Sequence, residues 1–171
     1  MTYLELAVAM AVLAIALSTV SRLLVSSASL AETNRESAIA TEATRLVMEE
    51  IQAANFRNAF SLYNATDADD PVGGTVPGSS FDVLGLDPVP GDPDGRVGEI
   101  VMPWDPNTHA ILREDLEIQG LGAARDLNAD GAIDKGDHSA DYEILPILVR
   151  LEWQGAAGPQ LLENRMLLVD R

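Results

Sequence analysis

Apolar residues fill the first 25 positions with few interruptions, and no Gly or Pro occurs before Ala31. Only Glu5 and Arg22 carry a full charge in that stretch. About 20 apolar residues at 1.5 Å rise cover the roughly 30 Å hydrocarbon core of a bilayer, so the pattern predicts a transmembrane helix. Beyond Val25 the helical spacing persists while polar residues enter. Ile39, Ala43, Leu46, Val47, Ile51 and Ala54 share one side at a 3.6-residue period, as in an amphipathic half-helix packed on a globular head. Glu32, Arg35 and Glu36, and again Glu42, Arg45 and Glu49, lie three and four residues apart and read as a solvated outer face. Phe56, Phe60 and Tyr63 read as core at the junction of helix and head. One helix from residue 2 to about residue 62, roughly 90 Å long, is therefore expected.

From residue 63 to residue 98 the pattern dissolves into Pro, Gly and Asp, as in Asp69-Asp70-Pro71, Gly73-Gly74 and Pro90-Gly91-Asp92-Pro93. These turn formers predict a long irregular connection with a short strand at residues 81–86. Residues 97–102 and 115–119 read as further short strands. The clearest strand is 144–153, with Ile147, Val149, Leu151 and Trp153 on one face and Arg150 and Glu152 on the other. A Gly-rich connection at 154–159 leads to residues 161–169, a hairpin partner. The expectation is an α+β fold: an apolar stem over residues 1–30 and a head over 31–171, with an antiparallel sheet within 97–171.

Charge and composition narrow the partners. The formal net charge is −16, and Lys135 is the only lysine. Binding nucleic acid through a basic face is excluded, because phosphate contacts need Lys and Arg. Cysteine is absent, so no disulfide closes the head. Asn64-Ala65-Thr66 fits the N-glycosylation acceptor pattern, with an unmodified turn as the simpler reading. His109 and His138 are the only histidines and stand in no ligand or nucleophile motif; His138 reads as a solvent-exposed neighbour of the acidic loop that precedes it. No catalytic constellation is present, so an enzyme is not expected.

That acidic loop carries the clearest chemistry. Residues 126–137 place Asp126, Asn128, Asp130, Ala132, Asp134 and Asp137 at positions 1, 3, 5, 7, 9 and 12 of a calcium loop. Calcium takes six to eight oxygens; this spacing supplies side-chain oxygens and, at Ala132, a backbone carbonyl. Gly131 suits the sharp turn at position 6, and Ile133 offers an apolar anchor. The loop resembles those of EF-hand and dockerin proteins, with Asp137 replacing the usual bidentate Glu. Upstream Gly120 and Gly122 and downstream Pro146 do not match the flanking helices of an EF-hand.

The beginning of the chain has a resemblance of its own. A carboxylate at the mouth of an apolar helix is costly without a partner, and no Lys or Arg precedes Arg22 as a signal peptide or signal anchor would require. The segment reads as if a basic leader had been removed. Thr2, Leu4, Glu5 and the apolar run resemble the mature N-terminus of bacterial type IV pilins and type II secretion pseudopilins. Met1 stands where that family usually has Phe, and Ala14 and Arg22 stand where many members have Gly and Pro. The resemblance implies cleavage by prepilin peptidase, N-methylation of Met1, and assembly into a helical filament guided by Glu5. It implies an inner-membrane precursor handled by pilus assembly machinery and a homo-oligomeric filament at the cell surface. The function so implied is a structural filament subunit with a calcium-stabilised head. The alternatives are a minor pilin, a pseudopilin, or a monomeric membrane-anchored calcium-binding module. Ala14 and Arg22 are good helix formers, so the upper helix is expected to stay unbroken.

Overall fold

A computed structural model describes residues 2–66, 69–70 and 77–170. It shows one long N-terminal helix and a small antiparallel sheet, an α+β arrangement. Helix α1 spans Tyr3–Ala53 and runs without a break through Ala14 and Arg22. It begins with a capping box: the Thr2 N–H donates to Glu5 Oε2 (2.9 Å), and the Glu5 N–H donates to Thr2 Oγ1 (3.4 Å). The Thr-x-x-Glu spacing was a readable signal for this start. In the apolar half, the Thr19 and Ser21 hydroxyls donate to the carbonyls of Ile15 and Leu17, so these polar side chains present no free donor to an apolar surrounding. A window of this helix has mean hydropathy 2.2 and is wholly exposed, so α1 is long and apolar enough to cross a membrane.

The helix ends earlier than its periodicity predicts. Ala54 turns extended, the Asn55 side chain accepts the Arg57 N–H, and a 3₁₀ turn at Phe56–Asn58 leads into the short helix α2, Ala59–Tyr63. Tyr142 fixes this bend from across the head. Its hydroxyl donates to the Phe56 carbonyl (2.5 Å) and accepts the Phe60 N–H, and its ring sits 4.9 Å from that of Phe56. Phe60 and Tyr63 are buried, as expected of the junction, and Phe56 packs against the same core.

Strands β1 (Ser80–Phe81), β2 (Gly98–Val101), β3 (Ile144–Gly155) and β4 (Gly158–Val169) follow in the spatial order of their sequence, every neighbour antiparallel. Two of the expected strands shrink or vanish. Only Phe81 of residues 81–86 is in a strand; Gly85, at φ +91°, turns the chain so that Val83 and Leu86 pack with Ile39 and Ala40 of α1. Residues 115–119 form no strand beyond a single bridge between Ile118 and Gly122, because Gly120 and Gly122 adopt positive φ and reverse the chain. This loop covers the second face of β3, where a Cβ on Gly120 would meet Leu148 at 2.7 Å. Leu148, on that second face, is therefore as buried as Leu145, Ile147, Val149, Leu151 and Trp153 on the first.

Five of the six residues that the apolar periodicity picks out for the inner face of α1, Ile39, Ala43, Val47, Ile51 and Ala54, pack on the head. Ala40, Thr44 and Ile51 are buried, whereas Leu46 is half exposed. Glu36, expected on the solvated face, is buried; both of its carboxylate oxygens accept the Ala156 N–H, at 3.0 and 3.2 Å. A carboxylate thus holds the β3–β4 turn against the helix. A Cβ on Gly155 would lie 2.5 Å from Glu36 Oε2, so glycine is what admits it. A hydrogen bond to a charged group contributes about 1.5–3 kcal/mol. Glu36→Ala should lower the melting temperature of the full chain in detergent by about 3–10 °C. Gly155→Ala displaces the same carboxylate, so the double variant should melt well above the additive expectation. Simple additivity would show that the contact contributes nothing.

Asn64 is not an open glycosylation acceptor. It is buried, its amide donates to Asp69 Oδ2 (2.8 Å), and its carbonyl accepts the Thr66 N–H (2.7 Å). The acceptor pattern is an Asx turn here.

Candidate metal centre

The segment leading to the acidic loop is fixed by one guanidinium. Arg113 meets Asp115 through two hydrogen bonds (2.9 and 2.8 Å) and Asp105 through a third (2.9 Å), all three side chains being mostly buried. Asp105 also accepts the Asn107 and Thr108 N–H groups. The Asn107 N–H first, and then Arg113, hold the Asp105 carboxyl down at about 2, against an ordinary value of 3.8. A depressed folded-state pKa contributes stability that is present above the ordinary value and is lost as pH falls through the lowered one. Acid unfolding through this group therefore falls between about pH 4 and pH 2. Arg113→Met should move the acid midpoint upward; an unchanged midpoint would show that the clamp has no part in acid resistance.

Glu114 lies between the clamped neighbours and reaches into the loop. Its Oε1 accepts the N–H groups of Leu127 (2.7 Å) and Asn128 (3.3 Å), and its Oε2 accepts that of Asp134 (3.3 Å). Sequence reasoning missed this buried post, since no local pattern links residue 114 to residues 127–134.

Residues 126–137 close on themselves through their own side chains. Asp126 Oδ2 accepts the Gly131 N–H (2.8 Å), Asn128 Oδ1 that of Asp130 (3.2 Å), and Asp130 Oδ1 that of Ala132 (2.8 Å). Ala129 and Gly131 adopt positive φ, which the tight turn requires. Asp126 Oδ1 is buried and has no hydrogen-bond partner. An unpaired carboxylate oxygen out of water is costly, and a hard cation satisfies it, so the first half of the loop fits calcium on an observation independent of its motif.

The second half is arranged differently. Asp134 Oδ1 accepts the Gly136 N–H (2.5 Å) and lies 3.2 Å from His138 Nε2. Asp137 accepts the Ser139 N–H (2.9 Å), while Asn128 Nδ2 donates to Asp141 Oδ2 at 3.2 Å. Asp141, a residue outside the motif, is thus tied to position 3 of the loop. His138 is buried, not the exposed neighbour that its position implies, because its imidazole is held by Asp134, Asp141 and Glu114. Burial opposes its charged form, but the hydrogen bond that its ring donates to Asp134 and the charges of Glu114 and Asp141 outweigh this and raise its pKa. His109 stacks on Trp104 at 5.4 Å.

Glu5, the other residue singled out, is exposed in the capping box of α1, and Met1 lies outside the described residues. Compared with protein-family models, curated proteins and solved structures, the chain finds no match in any of the three.

Proposed function

We propose that the chain is a pilin-like subunit whose apolar half-helices bundle into the core of an extracellular filament, with heads outside that calcium stabilises. One observation supports this above others. The same helix is bare from Tyr3 to Glu32 and packed on the sheet from Glu36 onward. Side chains such as Val8, Met10, Leu13, Ile15, Leu23 and Leu24 are each more than half exposed, a surface that needs lipid or other copies to cover it. A bundle of identical helices covers it without help from the head. The resemblance of Thr2, Leu4 and Glu5 to mature pilins points the same way. On this reading the precursor sits in the inner membrane, is processed by prepilin peptidase, and leaves the bilayer for the filament. A minor pilin or a pseudopilin would share these features at lower abundance.

A monomeric membrane-anchored module is favoured by one feature, the capping box. There Glu5 already has a local partner in Thr2 and needs no second subunit. Electron microscopy of sheared surface material, with peptide identification of its subunit, separates the readings. Filaments containing this chain are expected; recovery of the chain in the membrane fraction alone would favour the anchored module.

A further inference from the structure

We propose that His138, Glu114 and Asp134 form a second metal site, for a zinc-class divalent cation, beside the calcium loop. One ligand atom from each lies within 4.8 Å of the other two. His138 Nε2 is 3.2 Å from Asp134 Oδ1 and 3.7 Å from Glu114 Oε2. Ligands bound tetrahedrally to zinc at about 2.0–2.1 Å stand roughly 3.3 Å apart, so small adjustments admit an ion among them. The donor set is one imidazole nitrogen and two carboxylates, which suits zinc and its neighbours better than calcium.

Two further features fit an ion and not a simple acidic surface. The other ring nitrogen, His138 Nδ1, lies 3.2 Å from Asp141 Oδ1. A carboxylate there fixes the tautomer that directs the Nε2 lone pair toward Glu114 and Asp134, the outer-shell arrangement that metal-binding histidines usually have. Charge is also out of balance. Glu114, Asp134 and Asp141 face one imidazole, and among the described residues none of the three pairs with a Lys or Arg. Even a protonated His138 leaves an excess of negative charge around a glutamate side chain only 1% exposed. Asp134 belongs to both sites as the ninth loop position, which calcium often reaches through a water. It is the loop ligand that calcium can most readily share.

The test is zinc titration of the full chain in detergent with calcium saturating, followed by calorimetry and by the ring signals of the two histidines in NMR. One zinc per chain is expected, moving the His138 signals and leaving those of His109. His138→Gln and Glu114→Gln should each weaken zinc at least tenfold, and Asp141→Asn about 10–100-fold. His109→Gln should leave zinc binding unchanged. Asp130→Ala, which weakens the calcium loop alone, should change zinc affinity by less than about threefold, so the two sites fail separately. Should a variant at His138 or Glu114 not fold, the wild-type NMR titration decides. Absence of zinc uptake, or uptake that leaves the His138 ring signals in place, would overturn the proposal and leave His138 as an ion-pair partner only.

Discussion

Glu5→Gln is expected to abolish filaments while the chain still folds and inserts into the membrane. Glutamine serves a capping box as well as glutamate does, so the contact with Thr2 survives and helix α1 starts as before. What disappears is the charge. In a filament core of bundled apolar helices an unpaired carboxylate costs several kcal/mol, and the resemblance to pilins supplies the partner, the N-terminal amine of an adjacent subunit. Breaking one side of a buried pair typically costs about 3–5 kcal/mol, which is more than a hundredfold in association at each subunit contact. Filament yield by microscopy should therefore fall below detection, with membrane-fraction chain at wild-type level. Filaments in normal yield would show that capping is all Glu5 does.

Chelation of calcium should have the largest effect on the stability of the head. A cation that binds only the folded loop contributes about 2.7 kcal/mol at a hundredfold excess over Kd. For a chain of this size that corresponds to about 5–10 °C in melting temperature. No disulfide is available to share the task. The loop is well placed to transmit the effect, because residues 139–143 run directly from it to Tyr142, which holds the bend between α1 and α2. Asp126→Ala removes the buried oxygen that has no hydrogen-bond partner, and the variant should melt like the chelated wild type with or without calcium. Melting curves of wild type that coincide in calcium and in chelator would reduce the loop to an acidic turn.

The long helix, the β3–β4 hairpin and the turn at Gly131 were legible because each rests on local periodicity or local backbone need. The C-terminal end of α1 was not. Phe56, Phe60 and Tyr63 keep helical spacing, and only Tyr142, far along the chain, shows that the helix bends there. Glu36 was misassigned for a related reason: three- and four-residue spacing of charges describes an exposed face, and nothing nearby reveals that the Ala156 N–H lies opposite. Residues 115–119 alternate like a strand, but Gly120 and Gly122 turn them into a cover for Leu148. At the candidate metal centre, the spacing marks Asp126, Asn128 and Asp130, whose side chains close the turn on its own backbone. Glu114, His138 and Asp141 come together only through the tertiary fold.

Helical reconstruction of the filament by electron cryomicroscopy would show whether the apolar half-helices build its core. Residues 3–30 of successive subunits are expected to form the axial core, with Glu5 within ion-pair distance of a neighbouring N-terminus and the sheet and calcium loop on the outside. Filaments held together by head contacts, with the apolar helices left at the periphery, would contradict this arrangement.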